Sequence, residues 1–237
     1  METAFEYLAF SPPGWGGNLL RGLLSTIQIA LGAYFLGLLL GLGGALGKLY
    51  GGPVLRWSLE IYTTVIRAVP ELVLILLLYY AGTDLLNTAL ESFGFERIDI
   101  DGLWAGIYVI GFVQGAYSTE VLRGALQSVP TGQMEAAKAV GMSWWKSHVR
   151  VAFPAMIPLA LPGLANLWLI VTKDTALLAV VGFSELALET KQAAGATKAY
   201  FLFYFAAAIL YLCVTLVSNQ VFGRLEHYYS RGQPVQG

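Results

Sequence analysis

Residues 19–46 read LLRGLLSTIQIALGAYFLGLLLGLGGAL, an apolar run with Arg21 as its only charged side chain. A bilayer core about 30 Å thick needs roughly 20 such residues in a helix. Inside lipid every backbone N–H and C=O must be satisfied locally, and a helix does this within one segment. Four more runs meet the same length, at 59–81, 103–126, 156–181 and 200–222. None alternates polar and apolar residues as a closed barrel would require. The expected fold is therefore all-α: an integral membrane protein of about five transmembrane helices, forming a single domain over 1–237. The first run is rich in glycine, with Gly37/Gly41 and Gly43/Gly47 at the four-residue spacing that lets a second helix approach the backbone.

Composition supports the membrane assignment. Hydrophobic residues make up 57% of the 237 and charged residues 12%, with a mean hydropathy of +0.63. Soluble domains carry about 25% charged residues, twice this share. A net charge of −1 argues against nucleic acid as a partner, since that would call for a basic stripe. The single cysteine, Cys213, builds no disulfide or zinc framework, and His148 and His227 by themselves make no metal site. Acids and no bases in residues 1–18 are the reverse of a signal peptide, while Phe5, Tyr7, Phe10 and Trp15 suit an interfacial segment.

The charges between the runs set an expected direction. Lys48 and Arg56 lie after the first run; Lys138, Lys146, His148 and Arg150 lie after the third, with Arg123 at its edge; Arg224 and Arg231 close the chain. The connection 84–101 holds Asp84, Glu91, Glu96, Asp99 and Asp101 against Arg97 alone. Positive segments face the cytoplasm, so the amino terminus is expected outside and the carboxyl terminus inside. The connection 182–199, external in this scheme, runs against the pattern with Lys191 and Lys198. Its Glu185 and Glu189 read as a solvated face or a partner contact.

The basic connection 128–155 carries the most specific pattern: VPTGQMEAAKAVGMSWWKSHVRVAFP over residues 129–154. Pro130 and Thr131 mark a helix start with Thr131 as its cap, and alanine-rich residues follow. Gly141 suits a left-handed helix end, and Ser143 suits the cap of a second short helix. Trp144 and Trp145 suit the headgroup region. The order Glu135-Ala136-Ala137, three residues, Gly141, nine residues and then Val-Ala-Phe-Pro154 resembles the cytoplasmic loop signature of bacterial ABC importer permeases of type I. The family pattern ends Ile-x-Leu-Pro, so Val151 and Phe153 are apolar departures from it. The resemblance implies a coupling helix seated on an ATP-binding subunit, with Glu135, Ala136, Ala137, Gly141 and Pro154 as the coupling residues.

Other stretches resemble the polar amino-acid branch: YTTVIRAVPE at 62–71, GFVQGAYSTEVLRGA at 111–125, ALPGLAN at 160–166, KDTALL at 173–178 and LEHYYS at 225–230. With IDID at 98–101 they are similar to histidine/lysine/arginine/ornithine and opine permeases. The resemblance covers nearly the whole chain. It implies transport of an amino acid, with basic ones (arginine, lysine, histidine, ornithine or an opine) expected. It also implies partners: a second, similar but non-identical permease chain, two ATP-binding subunits and an external amino-acid-binding protein. No G-x-x-x-x-G-K-[ST] sequence is present, so ATP and Mg are expected on the partner subunits and this chain is expected to be no enzyme by itself.

Charged residues at membrane depth cost roughly 2.5–3.5 kcal/mol each and call for a role. Arg67 and Glu71, flanking Pro70, read either as an i,i+4 ion pair bracing a kink or as contacts for the cargo. Gln114, Tyr117 and Glu120 share a similar face of the third run, where Glu120 also has Arg123 as a possible partner. Asp174 lies towards the outer end of the fourth. Arg67, Glu71, Gln114, Tyr117, Glu120 and Asp174 are the candidate substrate path. Asn166 and Trp168 read as packing residues. An ion-gradient-driven transporter or channel would bury similar charges without needing the 135–154 pattern. An intramembrane enzyme lacks a nucleophile–base pair or metal spacing in the runs.

Overall fold

The computed structural model of the protein describes residues 6–97 and 102–229, and these are helical almost throughout, with no strand among them. Ile98–Asp101, Phe5 and Arg231, which entered the reading above, lie outside the described residues.

Helix α1, Gly16–Tyr50, is a single rod of 35 residues. At 1.5 Å per residue it is about 52 Å long, well beyond the hydrocarbon core. Gly51 and Gly52 end it, and Pro53 opens α2, Pro53–Ala68, at a position where its missing N–H costs nothing. The expected second span then departs from its reading. Val69 is extended (φ −96°, ψ 139°), and Pro70 precedes a fresh helix, α3, Glu71–Ser92. Proline removes a helical hydrogen bond and excludes its predecessor from the α region, so the run breaks instead of kinking. The apolar rod is thus 71–92, and Asp84 sits inside it instead of opening an external loop.

Helix α4, Gly102–Gln127, is the central element, buried along most of its length. It pairs with α1 over an extended contact. A Cβ added at Gly37 would come within 2.6 Å of Gln114 Cγ, and one at Gly41 would collide with Ser118. Lipid is as apolar as a leucine side chain, so helices in it associate by close fit, which these small residues permit. Of the second expected glycine pair, Gly47 meets Leu59 of α2 whereas Gly43 faces open space.

The connection beyond α4 forms two short helices, α5 (Thr131–Ala139) and α6 (Trp144–Ser147), then a π-helical stretch His148–Ala152. Helix α7, Phe153–Asp174, follows without a gap and passes into a 3-10 turn Thr175–Val181. The expected outer connection 182–199 is itself structured as α8, Leu186–Thr197, before α9, Tyr200–Tyr229.

Among the described residues, four segments are long and apolar enough to cross a membrane: Gly16–Tyr50, Glu71–Ser92, Trp144–Val181 and Tyr200–Tyr229. Helix α4 is more polar because its neighbours, and not lipid, surround it: Gln114, Ser118 and Thr119 are all buried. One core joins Ile29, Ile75, Val109, Ile110, Trp168 and Leu178 from five elements; a second joins Ala45, Leu122, Leu126, Val129 and Met156. Trp168 is locked by its Nε1–H donating to Ser218 Oγ at 2.7 Å and by an edge contact with Tyr34. Outward faces carry Leu24, Phe35, Leu39, Leu77, Phe201 and Leu212, as a lipid-facing surface should. Tyr7 and Trp15 pack on the Leu19–Phe203 cluster, so of the aromatics expected in the amino-terminal interfacial segment Phe10 alone is exposed among the described residues, while Trp144 and Trp145 near the elbow are exposed as expected.

Candidate functional site

Three polar assemblies stand out, and the residues singled out from sequence divide among them. The first is the α5–α6 elbow. Gly141 takes φ +78°, its N–H bonds Lys138 O at 2.9 Å, and the N–H of Met142 bonds Ala137 O at 3.0 Å. This paired ending satisfies carbonyls that α5 would otherwise leave open, and only glycine enters that region without strain. Thr131 is not the cap expected of it: Pro130 occupies that place, and Thr131 is the first helical residue. Ser143 does hold the cap position of α6, but through its backbone oxygen, which accepts from Ser147 N at 2.9 Å.

Glu135 and Ala136 are exposed, while Ala137 is 4% exposed and faces the protein's own interior. Met134 rests on the Leu126–Val129–Met156 cluster. The two alanines therefore differ: Ala136 belongs to the open face with Glu135, and Ala137 seats α5 on the bundle. Pro154 lies in the first turn of α7, where it opens a helix instead of closing the loop.

The second assembly surrounds the α2/α3 break. Arg67, in the last turn of α2, holds its guanidinium 5.9 Å above the Tyr117 ring. Glu71, the first residue of α3, lies close to the Tyr117 hydroxyl and to the carboxyl of Asp174 at the end of α7. Arg67 and Glu71 form no ion pair among the described residues. The i,i+4 brace needs one continuous helix, and the break removes it. Arg67, Glu71, Tyr117 and Asp174 therefore converge from four helices. Gln114 does not join them: it is 2% exposed against Gly37 of α1, and its Nε2 has no partner.

Glu120 belongs to the third assembly, which was only half visible in sequence. Its pairing with Arg123 is present at 2.7 Å. Its other oxygen takes Lys48 Nζ at 2.5 Å; Lys48 also reaches Glu60 at 2.8 Å and donates to Thr63 Oγ1 at 2.6 Å. Lys48 counted above only as a positive charge in the connection after the first run; it is 4% exposed, with all three ammonium hydrogens placed.

Glu185 corrects the reading of the outer connection in the same way. It is fully buried as the cap of α8, accepting from Leu188 N at 2.8 Å, Thr26 Oγ1 at 3.2 Å and Tyr211 Oη at 3.2 Å. Burial pushes its carboxyl above the usual carboxylate range, opposed by the N–H groups of Ala187 and Leu188 and by the Tyr211 and Thr26 hydroxyls. No group of three or more metal-ligating side chains occurs among the described residues.

Comparison with known proteins agrees with this architecture. The chain is 42% identical to the histidine/lysine/arginine/ornithine transport system permease protein HisQ of Salmonella typhimurium, over 92% of its own length and 96% of that protein. It is 40% identical to the nopaline transport system permease protein NocQ of Agrobacterium fabrum, over 95% and 96% respectively. Among solved structures, an amino acid ABC transporter with histidines superposes with a TM-score of 0.76 at 29% identity, covering 90% of this chain and 95% of that one. The MetNI methionine ABC transporter shares the fold, with a TM-score of 0.73 at 18% identity over 92% and 99%. Residues 33–230 match the family described as binding-protein-dependent transport system inner membrane component, and with relatives this similar along nearly their whole length, the chain belongs to that family.

Proposed function

We propose that this chain is the transmembrane permease subunit of an ATP-driven importer of basic amino acids, working with a second permease chain, two ATP-binding subunits and an external binding protein. The observation that carries the reading is the α5–α6 elbow, whose outward Glu135 and Ala136 are held on a short helix by the Gly141 ending. Such a projection is rigid where it meets the bundle and free where a soluble partner would dock. ATP and Mg belong on that partner, and this chain contributes motion and a path.

Glu71, Asp174 and Tyr117 supply acceptors beside the Arg67 guanidinium. Acids facing a cation's side chain and a guanidinium facing its α-carboxylate would offset the desolvation of an amino acid carrying both charges. Exposed Arg56, Lys138, Lys146, Arg150 and Arg224 support the reading in which the elbow and the carboxyl terminus face the cytoplasm and the acidic end of α3 faces outside.

Uptake of labelled arginine into vesicles holding the complete complex tests the function. Uptake is expected to require ATP and to survive an uncoupler. Loss on adding the uncoupler, with ATP still present, would favour an ion-gradient transporter. Orientation is tested with single cysteines at Ser92 and Ser143 in a Cys213→Ala background. An impermeant thiol reagent outside should label Ser92→Cys alone.

A further inference from the structure

We infer that His148 and Tyr50 form a mechanical tie that fastens the cytoplasmic elbow to the inner end of α1, making His148 a positioning residue for coupling. The inference rests on the docking role proposed for the elbow and adds a route for the motion. His148 begins the π-helical stretch between α6 and α7, and it is 3% exposed. Its Nδ1 lies 2.8 Å from Trp144 O and its Nε2 lies 2.8 Å from Tyr50 Oη. A carbonyl only accepts, so Nδ1 carries the hydrogen; in the neutral ring Nε2 then accepts from the Tyr50 hydroxyl.

The ring is packed as well. Trp144 lies over it at 4.0 Å between centroids, and Tyr50 meets both rings edge-on at 5.0 and 5.1 Å. Both ring nitrogens and one face are therefore held, which fixes the orientation of the side chain. A π-turn is a weak point in a helix, because its wider hydrogen-bond spacing is less favourable, and such turns recur at functional sites. Here it lies where α6 would have to move relative to α7. Motion of the elbow would reach α7 through a bendable joint, whereas it would reach α1 through a direct side-chain contact. Two residues before Tyr50, Lys48 is clamped to Glu60, Thr63 and Glu120. A pull on Tyr50 is thus delivered to a point where α1, α2 and α4 are already joined.

The test uses the assembled complex in liposomes with arginine as cargo, reading molecules moved per ATP hydrolysed. Tyr50→Phe deletes one hydroxyl and keeps the ring. It is expected to lower the ratio about two- to tenfold, the factor by which one neutral hydrogen bond shifts an equilibrium. His148→Leu should lower the ratio similarly, His148→Gln should restore much of it by offering an amide near the Nε2 position, and the double variant should fall no further than either single one. A wild-type ratio in Tyr50→Phe overturns the tie, as does a fall in complex yield and transport together at an unchanged ratio. Gly141→Val separates the two layers of inference. If it uncouples transport while Tyr50→Phe does not, the tie alone is wrong; if neither alters coupling, the docking role of the elbow fails and the tie with it.

Discussion

The Lys48 assembly and the Glu71 assembly use the same side-chain chemistry to opposite ends. Around Lys48 every charge is answered: two carboxylates and a hydroxyl for the ammonium, and Arg123 for the second oxygen of Glu120. Around Glu71 the accounts stay open, because two carboxyls face each other and the nearby guanidinium of Arg67 meets a tyrosine ring instead of an acid. A closed set holds helices together, and its worth lies in not leaving a buried charge alone. An open set keeps charge that its own members do not neutralise. The contrast separates a neutralised cluster from one that is not, which burial alone would not do, since Glu120 and Glu71 are both only partly buried.

The largest expected effect follows from opening the closed set. Lys48→Met leaves Glu120 with Arg123 only and strips Glu60 and Thr63 of their partner, and the complex should lose about 3 kcal/mol of stability in detergent titration. Adding Glu120→Gln should recover part of that loss; no recovery would mean that the packing of the lysine stem, and not its charge, holds the site. Glu185→Ala comes next, at about 2 kcal/mol, because it removes a helix cap together with the bonds to Thr26 and Tyr211. Glu185→Gln should cost less, since its burial already favours the neutral form. For the same reason the site follows a definite sign with pH. A carboxyl whose folded pKa lies above its unfolded one binds more protons in the folded state, so its contribution declines as pH rises from the ordinary carboxylate range through the folded value. Protection of the α8 amides, taken relative to their intrinsic exchange rate at each pH, should fall over that rise in the wild type but not in Glu185→Gln.

Glu71→Gln sharpens the comparison from the other side. Stability should change by less than about 1 kcal/mol, while transport of arginine and lysine weakens relative to neutral amino acids. Low yield with uniform loss would place Glu71 among the fastenings instead. The smallest effect is expected for Glu60→Gln: this carboxylate is 64% exposed, so its arm of the Lys48 cluster is worth at most about 1 kcal/mol and should weaken further in salt.

What could be read in sequence was local. Apolar length gave the rods, and the Gly141 spacing gave the elbow, because both are decided within a few residues. The break at Val69–Pro70 was also legible, yet length-matching to a bilayer outweighed the proline and set the second span twelve residues too early, at 59 instead of 71. The surroundings of Lys48 and Glu185 were not legible for a different reason. Their partners Glu120 and Thr26 lie 72 and 159 residues away, and nothing in the pattern around either residue announces so distant a neighbour. The open set is intermediate: its members each drew notice as charges at depth, but only the fold separates Glu120 and Gln114 from the four that converge.

Helix α1 has no proline along its 35 residues, and it is held near both ends. Thr26 is bonded to Glu185 and to the N–H of Leu186 at the start of α8, and Tyr50 is bonded to His148 beside the elbow. These points are about 36 Å apart along the axis, the greater part of the rod. A strut pinned this way carries load in both directions. Whatever free energy a displacement at one pin contributes to the other, a displacement at the second must return in equal measure. Under the function proposed above, cargo arriving at one end of this rod is thereby able to make itself felt at the other through the stiffness of a helix.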